Sequence, residues 1–308
     1  MAARTALQLG LSMQGIPDWF GGRIDPAIDQ VRLAEDKGFD FVSVPDHVIM
    51  SGAIDKYPYG SFPVPPDHPW LEPLTLIAAI AARTTRMRLI TAILIAPLRP
   101  AVFLAKQIAT VDVIANGRLE VGVGVGWQEE EYHAVGIPFD GRFGRLIEAV
   151  RAWRALWSEA PASFEGKTVS FRDMYSLPFP VQQGGVPIWL GLAPSERNVD
   201  RIAEVADGWL PVHQGDPDQI GAGVAAVREA FVRRGRDPET LKVRGMPQPV
   251  QTAGKPDLEA TLKQIPDFLR AGVTHLEVTP ARWCRNAEEF TDFVDRVVAA
   301  VEPFRAGR

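Results

Sequence analysis

Two hydrophobic periodicities alternate along the whole chain, and this alternation limits the fold more than any other feature of the sequence. Eight short runs are apolar on both faces, as in parallel strands covered on both sides. They are residues 7–13, 40–45, 88–96, 119–124, 186–191, 208–212, 243–250 and 275–279. Amphipathic helical patterns lie between them. One of these, over residues 258–271, contains Pro266, so we expect a kink or break in that helix.

Strand–helix alternation predicts parallel strands joined by crossover helices. Eight such units are the number in a closed barrel, and 308 residues suit one barrel with insertions. We therefore predict an α/β chain that forms a single (β/α)8 TIM barrel domain over residues 1–308. A doubly wound open sheet is the alternative.

Two segments do not fit the alternation: residues 48–71 after strand two and residues 158–185 before strand five. Long connections without secondary structure of their own are often lids or binding loops. Residues 48–71 follow the C-terminal end of a strand, which is the catalytic face of a barrel. We interpret them as a wall over the pocket, with a plain structural insertion as the alternative.

Composition excludes several classes of protein and of partner. The 46% hydrophobic and 23% charged residues are typical of a globular chain, and the net charge of −5 argues against nucleic acid or an anionic membrane as partner. No run approaches the ~20 apolar residues of a membrane helix. A single cysteine, Cys284, excludes an internal disulfide. With no signal-peptide pattern in residues 1–13, these features predict a cytoplasmic protein.

Asp46 and His47 follow strand two, where a barrel places catalytic groups. Histidine exchanges a proton near neutral pH, and a neighbouring carboxylate can hold its tautomer. An Asp-His pair also occurs by chance, since an Asp in a loop often only caps a turn. From position alone, the catalytic and structural interpretations both stay open.

Two small-residue segments follow strands four and five. Gly122, Gly124 and Gly126 precede Trp127, which stands where a dinucleotide fingerprint needs its third glycine, so we reject that motif. These glycines either admit a flat ligand or relieve crowding at the barrel mouth. Gly191 and Ser195 bound the second segment, which leads into a helix and favours an anion there, unless Ser195 only caps the helix.

Other catalytic signatures are missing from the sequence. It contains no Gly-x-Ser-x-Gly, no phosphate-binding Walker loop, no His-Glu-x-x-His and no cysteine cluster. Glu129 and His133 lie one helical turn apart, but two side chains do not make a metal site. We therefore expect no metal.

These pieces together resemble the luciferase-like monooxygenase superfamily, in particular its deazaflavin (coenzyme F420)-dependent oxidoreductase branch. The resemblance covers nearly the whole chain. Its most specific block runs through residues 91–112, 116–118 and 122–127 to Glu131, and a second block combines residues 188–191 with residues 206–209.

The resemblance implies a ring cofactor at the C-terminal mouth of the barrel, against a non-proline cis peptide between Ala92 and Ile93. It implies that Asp46 and His47 lie beside that ring. The remaining cofactor contacts that it implies are Gly124, Gly126, Trp127, Glu131, Gly191, Leu192, Ala193 and Ser195.

Two departures from the family pattern matter. Many relatives have adjacent glycines in the phosphate loop, where this chain has Leu192 and Ala193. Trp127 stands where some relatives carry a catalytic acid, so that role is not transferred. A homodimer is expected from the resemblance only.

Four functions follow from this reading. The first is hydride transfer between F420 and a small organic substrate, with His47 as proton donor or acceptor. The second uses reduced FMN and oxygen, with a separate flavin reductase; Asp46, where FMN-dependent members commonly carry Glu, favours F420. A non-redox hydrolase using Asp46 and His47, and a cofactor-binding protein without catalysis, are further alternatives. An apolar or aromatic substrate is suggested by Trp19, Phe20, Tyr57, Tyr59, Phe62 and Trp70.

Overall fold

The computed structural model describes residues 6–212 and 215–305. Within them, the strands are β1 (Gln8–Ser12), β2 (Phe41–Val44), β3 (Arg88–Ile95), β4 (Leu119–Gly124), β5 (Ala162–Glu165), β6 (Ser170–Met174), β7 (Ile188–Leu190), β8 (Gly208–Trp209), β9 (Lys242–Gly245), β10 (Val250–Thr252), β11 (Lys255–Asp257) and β12 (His275–Val278).

The α-helices of the described residues alternate with these strands. They are α1 (Ile24–Lys37), α2 (Pro73–Ala81), α3 (Ala101–Ile114), α4 (Glu129–Ala134), α5 (Arg142–Ser158), α6 (Glu196–Val205), α7 (Pro217–Arg233), α8 (Leu258–Leu262), α9 (Ile265–Arg270) and α10 (Ala287–Val301). Within the same residues, no helix is both long enough and apolar enough to span a bilayer.

Eight strands close a parallel barrel in the order β1-β2-β3-β4-β7-β8-β9-β12, with β12 pairing back onto β1. The predicted TIM barrel is confirmed, and each predicted apolar run contributes one barrel strand. Strands such as β2 and β4 are buried at every position because side chains fill the barrel and helices cover its outside.

Two details differ from the sequence prediction. The run 243–250 ends as a barrel strand at Gly245, and Val250 instead opens the β10–β11 hairpin. The insertion before strand five is not free of secondary structure, because it contains the antiparallel β5–β6 hairpin. Both hairpins are two-stranded and largely exposed, so neither produces a buried apolar run that a pattern search detects.

The expected break in the helix over residues 258–271 is confirmed. It lies between α8 and α9, and Pro266 occupies the first turn of α9. Proline is tolerated there because the first turn does not need its N–H.

The N-terminal end of the barrel is plugged by a polar cluster around the fully buried Glu120 of β4. Glu120 accepts hydrogen bonds from Trp189 Nε1 (2.5 Å), Lys242 Nζ (3.0 Å) and Arg88 Nε. His275 packs beside Trp189, with ring centroids 4.8 Å apart. Burial lowers the pKa of His275 to about 4, so this histidine stays neutral at pH 7. The opposite end, where the strands terminate, carries the candidate site.

Candidate active site

Asp46 lies directly beyond β2 and is buried. Its carboxylate accepts two hydrogen bonds from the Arg99 guanidinium (2.7 and 2.9 Å) and one from the backbone N–H of Ile95 (2.9 Å). Burial alone would lower the pKa of Arg99, but the hydrogen bonds and charge of Asp46 raise it. This bidentate ion pair joins the end of β2 to the end of β3, and it thereby fixes the backbone position of His47, the residue after Asp46.

His47, the next residue, pairs with the fully buried carboxylate of Glu131 in α4. His47 Nδ1 lies 3.1 Å from Glu131 Oε2. The other oxygen, Oε1, accepts the backbone N–H groups of Val48 (2.6 Å) and Ile49 (3.3 Å). A carboxylate acceptor requires a proton on Nδ1, which leaves Nε2 as the nitrogen that can exchange a proton with a ligand. The carboxylate that holds the tautomer is therefore Glu131, not the adjacent Asp46.

Aromatic side chains of the insertion pack around His47. The centroid of the His47 ring lies 4.8 Å from that of Trp70, 5.8 Å from that of Phe62 and 6.3 Å from that of Trp127. Tyr57 packs on Trp127 at 5.1 Å. Burial raises the pKa of Tyr57 to about 12, so its phenol keeps its proton at neutral pH. Phe62 and Trp70 of the insertion therefore cover the ring of His47. That residues 48–71 form the wall of a ligand pocket stays a prediction.

Two indole nitrogens around His47, Nε1 of Trp70 in the insertion and Nε1 of Trp127 after β4, are buried and have no hydrogen-bond partner among the described residues. Both indoles pack near the ring of His47. A buried indole N–H normally finds an acceptor, so both of these groups can donate to an oxygen or nitrogen of a ligand that lies beside His47.

Strand β3 reaches the barrel mouth beside Asp46. The peptide between Ala92 and Ile93 is cis, which confirms the prediction. Both residues are half-buried, whereas the flanking Thr91 and Leu94 are buried, so this part of the strand keeps some exposed surface.

Two glycines of β4 and the glycine directly after β7 make room for neighbouring atoms of the chain. A Cβ at Gly124 would lie 2.3 Å from Cδ1 of Ile93, and one at Gly191 would lie 2.6 Å from Cγ2 of the same side chain. At Gly122 it would lie 2.2 Å from the carbonyl oxygen of Thr91. Of the two interpretations of these glycines, relief of crowding at the mouth is the one that these distances support.

Gly126 is a turn position with φ of 64°, a left-handed conformation that favours glycine. This turn carries the chain from β4 to Trp127, and Tyr132 of α4 holds it by donating its hydroxyl to the Val125 carbonyl (2.6 Å).

Gly191, Leu192, Ala193 and Ser195 connect β7 to α6, as expected. Leu192 is buried, and its carbonyl accepts Trp209 Nε1 at 2.9 Å, while the Ala193 carbonyl accepts Asn198 Nδ2 at 2.9 Å. Ser195 is the N-cap residue of α6, but its hydroxyl makes no capping hydrogen bond. The Asn198 N–H already donates to the Ser195 carbonyl (2.9 Å), so the exposed hydroxyl and the N–H groups of Glu196 and Arg197 are those left for an anion.

A cation that the sequence did not single out lies at the start of α5. Arg142 stacks on the Phe139 ring, with its guanidinium carbon 3.6 Å from the centroid, and also approaches Phe143 at 5.1 Å. Its Nε is buried without a hydrogen-bond partner among the described residues. Arg201 of α6 approaches Phe143 from another side at 5.0 Å, so Phe143 links Arg142 to the helix that follows Ser195.

Among the described residues, no group of three or more His, Cys, Asp or Glu side chains could hold a metal ion. Cys284 is buried, and burial raises its pKa to about 12, so its thiol is not a nucleophile at neutral pH.

Comparison with known proteins agrees with this architecture. Residues 5–296 match the family model described as luciferase-like monooxygenase. The uncharacterized protein Rv0953c of Mycobacterium tuberculosis is 34% identical over 276 residues, which are 87% of this chain and 91% of that protein. The FMNH(2)-dependent dimethylsulfone monooxygenase of Pseudomonas putida is 33% identical over 167 residues, 53% of this chain and 45% of that protein.

Among solved structures, an F420-dependent secondary alcohol dehydrogenase in complex with an F420-acetone adduct superposes with a TM-score of 0.76. It is 19% identical, and the match covers 96% of this chain and 99% of that one, so it shows a shared fold. The family match spans all eight barrel strands and every site residue described above. The chain belongs to the luciferase-like monooxygenase family of oxidoreductases.

Proposed function

We propose that this chain transfers a hydride between coenzyme F420 and a small organic substrate, with His47 exchanging the accompanying proton. The observation that carries the proposal is the buried His47–Glu131 pair at the C-terminal mouth of the barrel, beside two indole N–H groups without acceptors. The cofactor supplies the hydride chemistry, and the protein supplies position and a proton.

Glu131 determines which nitrogen of the His47 ring is free to exchange a proton. By accepting from Nδ1 it orients the imidazole ring and leaves Nε2 as the nitrogen that exchanges a proton with the ligand. Asp46 contributes indirectly, because its carboxylate already binds Arg99 and Ile95. We assign Asp46 to positioning His47 and the end of β3, and His47 to the proton transfer.

The residues present fit the anionic part of such a cofactor. The loop of Gly191, Leu192, Ala193 and Ser195 offers a free hydroxyl and a helix N-terminus. Arg142 adds a cation with an unpartnered Nε, anchored through Phe143 to the same region. We propose that these groups hold the cofactor phosphate, and that Ala92, Ile93, Gly124, Gly126 and Trp127 border its ring.

The substrate side of the site is aromatic. Tyr57, Phe62, Trp70 and Trp127 surround His47, and the two indole N–H groups are the polar groups of this wall without acceptors among the described residues. An apolar or aromatic substrate that carries one or two acceptor oxygens fits this lining, because it buries its carbon skeleton and satisfies the indoles.

A second candidate function is an FMNH2-dependent monooxygenase supplied by a flavin reductase. It is favoured by the relative from Pseudomonas putida, which is named for that activity and is 33% identical over about half of this chain. The same mouth, loop and histidine would serve it.

Separate titrations with F420 and with FMN distinguish the two. We expect F420 to bind at least about tenfold more tightly, a difference of about 1.4 kcal/mol in binding free energy. Tighter binding of FMN would move the assignment to the monooxygenase. If neither cofactor bound, the redox proposal would be wrong, and the non-redox hydrolase that uses Asp46 and His47 would be favoured.

A further inference from the structure

Arg282 is a half-buried cation at the mouth of the barrel, on the short turn that directly follows β12. Among the described residues, its guanidinium makes one side-chain hydrogen bond, from Nη1 to Oε1 of Gln248 (2.7 Å). It forms no ion pair with a carboxylate of that part of the chain, and its Nε and Nη2 make no hydrogen bond there. A guanidinium has five N–H donors, so most of those of Arg282 are left for a ligand.

The buried carboxylate closest to it in the chain already has a partner. Glu277 follows His275 by two residues, so its side chain also points into the barrel. Nη1 of Arg244 lies 3.4 Å from Oε1 and 3.3 Å from Oε2 of Glu277. Because Arg244 balances the charge of Glu277, Arg282 adds one positive charge that no described carboxylate pairs with.

The surroundings of Arg282 make this charge costly. Burial lowers the pKa of Arg282, and the charge of Glu277 only opposes that effect. A partly desolvated charge costs free energy unless an opposite charge or hydrogen bonds compensate it. An anionic group of a ligand would supply both kinds of compensation at Arg282.

Arg282 and His47 lie two strands apart at the same end of the barrel. β12 pairs with β1, and β1 pairs with β2. Neighbouring strands are about 4.8 Å apart, so the two strand ends are separated by roughly 10 Å.

The loop after β1 connects the two positions. A Cβ at Gly15 would lie 2.6 Å from Cβ of Ala281, the residue before Arg282. Gly15 and Trp70 line the same small cavity of about 40 Å³, and the Trp70 ring packs on that of His47. Contacts of neighbouring residues therefore lead without a break from His47 to the turn that carries Arg282.

We propose that Arg282 binds a carboxylate of the substrate, and that the substrates are aromatic aldehydes, ketones or the corresponding alcohols that carry such an acid group. The planar guanidinium fork matches a carboxylate through two parallel hydrogen bonds. A singly charged carboxylate suits this place better than a phosphate dianion, because the negative Glu277 lies nearby. The substrate class rests on the proposed function, whereas carboxylate binding by Arg282 is testable without turnover.

Binding of two acids, para-formylbenzoate and para-formylcinnamate, is compared by calorimetry with binding of their neutral amides. The titrations use the chain alone and the chain with oxidised F420, which has no hydride to give. We expect the wild type to bind at least one acid about tenfold or more tightly than its amide, as for one charge-assisted pair. Arg282→Gln should bind acid and amide about equally. Arg282→Lys should keep a smaller preference, because an ammonium retains the charge but not the planar fork.

Arg285→Gln is the matched control. Arg285 lies three residues further along, is 88% exposed and pairs with Glu289, so its loss should leave the preference for the acid unchanged. Circular dichroism should show that the variants are folded. Equal binding of each acid and its amide by the wild type in both conditions would overturn the proposal. So would a preference that Arg282→Gln retains, or one that Arg285→Gln loses to the same extent.

Turnover of the same aldehydes with reduced F420 separates this proposal from the proposed function. A wild type that prefers the acids in binding but reduces none of the aldehydes would keep the carboxylate site and count against hydride transfer. Reduction of acids and amides with equal kcat/KM would keep hydride transfer and count against the carboxylate site.

Discussion

Both ends of this barrel contain buried polar side chains, but those at one end are hydrogen-bonded and several at the other end are not. At the N-terminal end, Glu120 is buried, and both of its oxygens are bound by the donors Trp189, Lys242 and Arg88. At the C-terminal end, the indoles of Trp70 and Trp127 and the Nε of Arg142 are buried without an acceptor among the described residues.

This difference separates stability from function. A buried polar group costs free energy unless it is hydrogen-bonded, so a saturated cluster stabilises the fold and leaves nothing for a ligand. A cluster of buried polar groups that lack hydrogen-bond partners is tolerated where a bound ligand supplies those partners. The comparison predicts that substitutions at the N-terminal end change stability, and that substitutions at the mouth change binding or turnover.

The largest expected effect is on turnover, from replacing His47. With any substrate that a screen identifies, His47→Ala should lower kcat by about 10²–10⁴, the usual contribution of a positioned acid or base. Cofactor affinity, measured by fluorescence titration, should change much less, because His47 pairs with Glu131 and not with the loop of residues 191–195 that is proposed to hold the phosphate.

His275→Phe is the matched control, since His275 is the buried histidine of the N-terminal end and lies between the rings of Phe41 and Trp189. It should keep kcat in the folded protein. If both variants kept kcat, His47 would have only a structural role, and another proton carrier would be needed.

The second effect is on cofactor binding. Ala193→Asp places a carboxylate within a few ångströms of the proposed phosphate, and at an effective dielectric near 20 the repulsion is on the order of several kcal/mol. Affinity for F420 or FMN should fall by roughly a hundredfold or more.

Riboflavin, which lacks the phosphate, serves as the control ligand for this variant. It should bind about equally to the wild type and to Ala193→Asp. Retained binding of the phosphorylated cofactors would show that the phosphate lies elsewhere and that Arg142 and Ser195 do not hold it.

The sequence predicted the barrel because each buried parallel strand leaves an apolar run, and the strand ends then placed Asp46, Trp127 and Gly191 at one mouth. It did not predict which carboxylate pairs with which basic side chain. The Arg99–Asp46 and His47–Glu131 pairs join residues 53 and 84 positions apart, and no periodicity records such contacts. A usable signal existed for Arg99, since a buried Asp behind a strand needs a cation, and Arg99 ends the segment after the next strand.

Arg142 was missed for a different reason. Its neighbours Phe139 and Phe143 look like ordinary surface and helix residues in the sequence, and only the fold shows the guanidinium stacked on Phe139 and close to Phe143. The distinction between satisfied and unsatisfied polar groups, on which the comparison of the two ends rests, is likewise absent from any pattern of residue types.

A third effect concerns the N-terminal end and depends on pH. Burial lowers the pKa of His275 from 6.5 to about 4. Between pH 6.5 and pH 4, His275 is protonated in the unfolded chain but not in the folded chain. The free energy of unfolding therefore falls as the pH is lowered through this range. The full loss is about 3 kcal/mol, and it is nearly absent above pH 7.

Urea unfolding at pH 7 and at pH 5 measures this loss, and the range avoids most of the titration of carboxylates. The wild type should lose about 2 kcal/mol more than His275→Phe over this range. Equal losses in both proteins would mean that the folded chain also protonates His275 in this pH range. The N-terminal end of the barrel would then have room for a further hydrogen-bond donor.

The last comparison uses two matched tryptophans, one at each end, each changed to phenylalanine so that the indole N–H is lost. Trp189 donates to Glu120, so Trp189→Phe removes a bond to a buried charge and should lower the free energy of unfolding by about 1.5–3 kcal/mol. Trp127 donates to no described residue, so Trp127→Phe should leave that free energy within about 0.5 kcal/mol. Its cost should fall instead on ligand affinity, by roughly threefold to tenfold, because the N–H is used only in the complex. Urea titrations of both variants and calorimetric binding of the cofactor and of an accepted substrate give all four numbers. A stability loss for Trp127→Phe as large as that for Trp189→Phe would show that its indole already has a partner, and the two ends would then not differ in the way that assigns function to one of them.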